Sequence, residues 1–533
     1  MTRRSLRALL IAALGCASLA PAPAPHASAP TQPATPPDQM AVTHGQVAVA
    51  GKPFHYTARA GLIPLYDNDT GALMARMFIV AYTADRAPGQ PPRPLTFVWN
   101  GGPGSSSSQV HLMGFGPKGF KTAATYPQWK GPPKEIIDRP DTWLAFSDLV
   151  FVDPIGTGYS RATTDAYRDI LYTQHGDGEA VAEMIRIYRT RYDAFDQPLF
   201  LAGESYGTTR AMEVAGDLAR RRTPVAGVML ISGFYDVGQS VPRGLNQALE
   251  LSMFTATAWY HKRLPADLLA KGQQAAVDEA VAWARKTYAP ALENPDALSA
   301  DGRAAVLAGL RRYTGLDPKY VEAKTLLIDK GVFTDHLLED RDEVLGRYDA
   351  RMALPKSSLA GQSWLPTHDA SLAPMLDLME GTSVPLIRYI RDTLGYHSDL
   401  LYRGPFGEAF HPLPMVTNPG GLGDDWMTLM WNRVPRPKEG PPKADGPPPP
   451  KEAPPLRQAM DAQPHLLVFN VRGMYDGDCA GLDEAVARSD AALRPRVRNR
   501  CYPAGHMVYT DDAVRLQLSH DFAQFVRDGV SAR

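Results

Sequence analysis

A Gly-x-Ser-x-Gly pentapeptide, Gly203-Glu204-Ser205-Tyr206-Gly207, lies between an apolar β-prone run, Leu199–Ala202, and a helical stretch over 210–221. No other feature constrains the fold as much. A turn that joins a strand directly to a helix is sharp, and the small residues two before and two after Ser205 remove side chains that would collide with it. Such a turn lifts the Ser205 hydroxyl over the carboxyl edge of a sheet. A helix beginning at Tyr206 leaves a backbone N–H facing the same space. The flanking segments repeat the alternation: Pro94–Trp99, Leu149–Val152 and Val228–Ile231 read as buried strands and residues 178–194 as a helix. Leu62–Leu65 and Met77–Tyr82, on either side of Asp67-Asn68-Asp69-Thr70-Gly71, read as an antiparallel hairpin. Strands alternating with helices predict a mostly parallel sheet of the α/β class.

That alternation stops near 236. Helical patterns then dominate to about 430, as in 274–287 and 303–313, and residues 435–455 hold ten Pro, a composition suited to an exposed, extended segment. A β-type run returns at Leu466–Val471 and an amphipathic helix at 512–527. The expected organisation is therefore a core over 41–235, a helical insertion over 236–455 and a second core segment over 456–533. Ahead of the core, Arg3, Arg4 and Arg7 precede an apolar run, Ala8–Leu14, too short to span a bilayer. Residues 1–29 read as a secretory signal and 30–40 as a flexible linker. A second reading ends the leader before Cys16, because Ala13-Leu14-Gly15-Cys16 is a loose lipoprotein box that would put a lipid anchor on that residue. Either way the chain is expected to be exported, periplasmic or extracellular, with no transmembrane helix.

Composition removes other classes. Of 533 residues, 56 are Lys or Arg and 57 Asp or Glu, so the basic excess of a dedicated nucleic-acid binder is missing. Three Cys exclude a disulfide-stapled scaffold and a multi-Cys zinc protein. There is no His-Glu-x-x-His, phosphate-binding loop or dinucleotide fingerprint, and no metal or cofactor is expected.

A serine hydroxyl is a weak nucleophile without a base and an orienting acid. In a fold built on this turn the chain order is Ser, then Asp or Glu, then His. Asp476, in Gly473-Met474-Tyr475-Asp476, follows the strand at 466–471, and Asp478 is its local rival. His506, in Ala504-Gly505-His506-Met507, is the candidate base; His520 lies in a helical stretch and reads as a packed or solvent-facing residue.

Four motifs in order carry a resemblance. Asn100-Gly101-Gly102-Pro103-Gly104-Ser105-Ser106-Ser107, Asp153-Pro154-Ile155-Gly156-Thr157-Gly158-Tyr159-Ser160, Gly203–Gly207 and Gly505-His506-Met507 resemble the serine carboxypeptidase family. The resemblance implies an α/β-hydrolase fold, a mostly parallel central sheet with helices on both faces, and a large helical cap over the site. It implies Ser205 as nucleophile, His506 as general base and then acid, and Asp476 as orienting carboxylate. The family's acid is followed three positions later by a Cys, here Cys479, which favours Asp476 over Asp478. The N–H groups of Gly102 and Tyr206 would form the oxyanion hole, and Asn100, Gly101 and Glu204 would hold the substrate's terminal carboxylate. Cys479 and Cys501 lie on the loops that carry acid and base, and an oxidising compartment favours a disulfide between them; the family's equivalent of Cys479 is commonly a free thiol.

One position departs from the pattern. The family pairs the Glu before its nucleophile with a second Glu, and the corresponding residue here is Gly114. Substrate binding would then rest on Asn100, the Gly101 N–H or a cation from elsewhere. Arg210, five residues beyond Ser205, is expected to face solvent. The expected activity is release of C-terminal residues from peptides through an acyl-enzyme, with a serine esterase or acyltransferase acting on small esters as the alternative.

Overall fold

The computed structural model describes residues 39–532 apart from 88, 122–134, 363–368, 372–383 and 405–451. The leader with Cys16, most of the linker and the Pro-rich segment as far as 451 lie outside the described residues. Among the described residues are fourteen strands: β1 (41–49), β2 (52–66), β3 (73–84), β4 (95–99), β5 (118–121), β6 (135–138), β7 (148–152), β8 (161–162), β9 (199–204), β10 (227–231), β11 (343–345), β12 (353–355), β13 (467–473) and β14 (497–502). The principal sheet runs β1-β2-β3-β7-β4-β9-β10-β13-β14, with β8 paired to β3. From β7 onward every pairing is parallel, whereas β1, β2 and β3 form an antiparallel meander that joins β7.

The central strands are buried on both faces, so they read as continuous apolar runs rather than alternating ones. Period-two geometry sends Phe97, Val150, Leu201, Val228 and Val468 to one face, against helices 174–191, 207–220 and 455–462. Val98, Phe151, Phe200, Met229 and Phe469 go to the other, against Leu518, Phe522 and Phe525 of helix 512–531. Helix 174–191 starts where the Thr173 hydroxyl accepts the Gly176 N–H, and helix 512–531 where Asp511 accepts from Ala513 and Val514.

The inserted region has a core of its own, in which Phe254, Tyr288, Leu310 and Phe333 are buried together. Residues 384–404, however, do not join it. Tyr389, Ile390, Leu394 and Tyr396 pack with Phe78, Tyr82 and Phe151 of the principal sheet, and the Tyr389 and Tyr82 hydroxyls lie 2.7 Å apart. The expected single insertion over 236–455 is thus two bodies among the described residues, because the apolar side chains of its later part find their partners on the sheet. The insertion also contains an antiparallel pair, β11 with β12, where only helices were expected.

Candidate active site

Ser205 stands at the end of β9 with φ of 57°, in the left-handed region. That conformation costs a non-glycine residue about 1–2 kcal/mol. It is held by the Ser205 N–H donating to the Ile231 carbonyl at 2.8 Å, and by its own carbonyl accepting the Thr208 N–H at 2.9 Å. A Cβ at position 203 would lie 1.9 Å from the Gly207 carbonyl oxygen, so only glycine permits this turn. The helix begins at Gly207, with Tyr206 as its N-cap.

The loop after β4 packs directly onto this elbow. A Cβ at Gly101 would fall 2.4 Å from the Tyr206 nitrogen, and Gly102 has φ of 101°. The Gly102 and Tyr206 backbones therefore border one cavity of about 700 Å³, whose walls include Ser205, Phe234, Lys330, Arg472 and His506.

The loop after β13 carries Asp476, and the loop after β14 carries His506. His506 Nδ1 donates to Asp476 Oδ2 at 2.7 Å. The backbone around the imidazole is fixed on both sides: the His506 N–H donates to the Tyr348 carbonyl at 2.6 Å, and its carbonyl accepts the Ser232 hydroxyl at 2.6 Å. Asp478 faces elsewhere, accepting from Arg472 Nη1 at 2.8 Å. His520 is exposed on helix 512–531. Cys479 and Cys501 are joined as a disulfide, Cα to Cα 5.9 Å, which ties the segment carrying Asp476 to the strand that leads to His506.

Burial alone would push the Asp476 carboxyl up, but His506 and Lys330 outweigh burial and hold it well below the usual carboxylate range. Burial alone would push His506 down; Asp476 and Glu204 outweigh it and leave the imidazole above its ordinary value, while Lys330 acts against them. The contact with Glu204 is close, since its Oε1 lies 3.4 Å from His506 Nε2. Burial pushes the Glu204 carboxyl up, against the opposing effects of His506, Asn100 and the Gly101 N–H.

Asn100, Gly101 and Glu204 are brought together, but with one another. Asn100 Nδ2 donates to Glu204 Oε2 at 3.0 Å and to the Tyr509 hydroxyl at 3.2 Å, and its Oδ1 accepts the Val110 N–H at 3.0 Å. Both side chains are buried, Asn100 at 0% exposure and Glu204 at 4%. The Tyr509 ring lies against Gly114, 3.5 Å from where its Cβ would be. The absent carboxyl side chain is thus replaced by packed aromatic volume.

Arg210 does not face solvent. It is fully buried, with Nε donating to Asp177 Oδ2 and Nη1 to the Asn100 carbonyl, both at 2.7 Å. A carboxylate 33 residues earlier in the sequence pulls it inward. Sequence reasoning also missed Lys330, Arg472 and Tyr509. Arg472 sits at the carboxyl end of a strand, where α/β sheets gather ligand groups, and that position was its only sequence signal. Among the described residues, no three His, Cys, Asp or Glu side chains gather as a metal-binding group.

Residues 52–280 match the serine carboxypeptidase family. The chain is 30% identical over 152 residues to the pheromone-processing carboxypeptidase KEX1 of Tuber melanosporum, covering 27% of this chain and 22% of that protein. Identity is likewise 30% over 178 residues with the enzyme of that name from Yarrowia lipolytica, 32% of this chain and 27% of the relative. The chain therefore spans about a quarter of the length of these curated relatives. The crystal structure of a prohormone-processing carboxypeptidase from Saccharomyces cerevisiae superposes with a TM-score of 0.50 at 15% identity, covering 88% of this chain and 92% of that one. The likeness shows the fold, an α/β-hydrolase fold. Asp476 and His506 lie beyond the matched residues 52–280, so their roles rest on geometry. No helix among the described residues is long and apolar enough to cross a membrane.

Proposed function

We propose that this protein is a serine-type peptidase that releases C-terminal residues from peptides through an acyl-enzyme. The observation that carries the reading is the 2.7 Å contact between His506 Nδ1 and Asp476 Oδ2 in the wall of a cavity that Ser205 also lines. In this reading Asp476 fixes the tautomer that leaves Nε2 free to take the Ser205 hydroxyl proton. Oγ adds to the scissile carbonyl carbon, and the Gly102 and Tyr206 N–H groups receive the oxyanion. His506 then passes the proton to the leaving amine as the C–N bond breaks. A water molecule, deprotonated by the same imidazole, releases the acyl group and restores Ser205. Export to the periplasm or beyond, with cleavage of the leader or a lipid on Cys16, completes the proposal.

A second reading, an esterase or acyltransferase, draws on a specific observation. The donors of Asn100 and Gly101 are taken up by Glu204 and Tyr509, which leaves no ready cradle for a terminal carboxylate. A fluorophosphonate probe should label Ser205, and Ser205→Ala should abolish labelling. Rates on a blocked dipeptide acid, its amide and its ester then separate the two readings. A preference for the acid above about 10³-fold, roughly 4 kcal/mol, favours the carboxypeptidase. Equal rates on acid and amide, with faster ester cleavage, favour the alternative.

A further inference from the structure

Lys330 opens the short helix Lys330–His336 of the inserted region, on which Phe333 is fully buried against Phe254. The Asp329 side chain accepts the Val332 N–H at 3.0 Å and fixes the start of this helix. From that anchored position the Lys330 ammonium reaches across to the loop after β13. Its Nζ donates to the Asp476 carbonyl at 2.5 Å and lies 3.4 Å from Asp476 Oδ1. The other carboxylate oxygen, Oδ2, holds His506 Nδ1. Both oxygens of the acid are thus engaged, one by the base and one by a cation from a different body of the protein.

We infer that Lys330 is a positioning residue of the catalytic pair, through which the inserted region fixes the plane of the Asp476 carboxylate that orients the His506 imidazole. The inference rests on the triad reading given above. A carboxylate held at one oxygen can rotate about its terminal torsion, which is broad and roughly two-fold. A contact at the second oxygen removes that freedom. The charge acts as well as the hydrogen bond, because a positive group beside the pair disfavours a second positive charge on the imidazole. The groups facing the pair come from every surrounding element. Asp476 and Glu204 favour the imidazolium, and Lys330 opposes it. The Tyr348 ring meets His506 edge-on at 5.3 Å. Arg472, from β13, adds positive charge near Asp476 and is itself paired with Asp478. Glu250 of the inserted region interacts with Lys330, and burial first, with Asp478 and Asp329 behind it, pushes its carboxyl up to about 7. Among these groups, Lys330 is the cation whose hydrogen bonds reach the acid itself.

The test is the pH dependence of fluorophosphonate labelling at Ser205, a rate that needs a neutral His506 and no knowledge of the natural substrate. Lys330→Gln keeps a donor and loses the charge, Lys330→Met loses both, and Lys330→Arg restores both. The acid-limb midpoint should rise by about half a pH unit or more in the Gln and Met variants, and return to within about 0.2 unit of wild type in the Arg variant. Midpoints within about 0.2 unit of wild type in both neutral variants, or shifted to lower pH, would overturn the inference whatever happens to the plateau rate. Those outcomes leave the triad reading standing. Failure of wild-type Ser205 to label removes that reading, and this inference with it.

Discussion

Arg210 offers a test of how the turn Asn100-Gly101-Gly102, the oxyanion turn of the proposed mechanism, is held. Its side chain is 0% exposed and that of Asp177 is 2%, so their contact at 2.7 Å is an ion pair taken wholly out of water. Burial pushes the Asp177 carboxyl up, and Arg210 is the main opposing influence. Replacing Arg210 with Met removes that influence and leaves Asp177 with the Tyr206 hydroxyl at 3.3 Å. Removing one partner of a buried pair costs about 3–5 kcal/mol, a large share of the roughly 5–15 kcal/mol that stabilises a folded domain. Asp177→Asn alone should cost a similar amount, because it strands the guanidinium. The double variant Arg210→Met/Asp177→Asn removes both charges. It forfeits mainly the Nη1 bond to the Asn100 carbonyl and some packing, about 1–2 kcal/mol. Urea unfolding of the four proteins closes a cycle with a coupling of about 4–9 kcal/mol, the sum of the single losses less that of the double. Single variants that each cost under about 1 kcal/mol, or a double variant whose loss equals their sum, would refute the reasoning. The cycle also isolates a functional consequence. The double variant regains stability but still leaves the Asn100 carbonyl without Arg210, so its Ser205 labelling should stay below wild type by about tenfold, as expected for a displaced oxyanion turn.

Two further outcomes follow from the same site. Asp476→Asn should lower turnover by about 10⁴-fold while Asp478→Asn stays within about tenfold of wild type, because Asp476 contacts the imidazole and Asp478 pairs with Arg472 instead; the reverse order in a kcat comparison would reassign the acid. Glu204→Gln removes an anion 3.4 Å from His506 Nε2, worth about 1 kcal/mol even at the dielectric of water. The imidazolium is then less favoured, and the acid limb of kcat/KM should move to lower pH by about one unit. That shift is opposite in sign to the one expected for Lys330→Gln, and an upward movement would contradict it.

The parts of the site that were legible in the sequence are those set by local backbone. Gly203 and Gly207 are required by a turn whose residues are contiguous, and the order of Ser205, Asp476 and His506 follows from strands ending at one edge of a sheet. Lys330, Tyr509 and Arg210 acquire their roles from residues distant in sequence: Asp476, Gly114 and Asp177. Neither periodicity nor a short motif records such contacts. Helical position alone left Arg210 free to point outward; a buried carboxylate decided otherwise. The edge strands β1 and β14 escaped notice because they are only partly buried and carry polar residues, as in Val497-Arg498-Asn499-Arg500-Cys501. The strands β11 and β12 are three residues each, too short for alternation to register. The later part of the insertion was assigned by chain order, whereas Tyr389 and Tyr396 are drawn to the sheet by the aromatic surface of Phe78 and Tyr82.

The resemblance places Gly114 where a second Glu would partner Glu204, and leaves Glu204 without that partner. Instead, the space beside residue 114 is occupied by Tyr509, and Glu204 is engaged by Asn100, Gly101 and His506. A terminal carboxylate seeking Asn100 must first displace Glu204 or Tyr509 from a fully buried amide. Each displaced bond leaves a buried group to be satisfied again, at about 1–3 kcal/mol. Two such exchanges roughly cancel the charge-assisted bonds that an incoming carboxylate could form. An amide or ester that stays in the 700 Å³ cavity disturbs none of them. Release of C-terminal residues therefore requires the Asn100 contacts with Glu204 and Tyr509 to open on binding, and Tyr509→Phe, which frees one Asn100 donor, should raise the acid-over-amide ratio; an unchanged or lower ratio in rates on the blocked dipeptide acid and amide would contradict this.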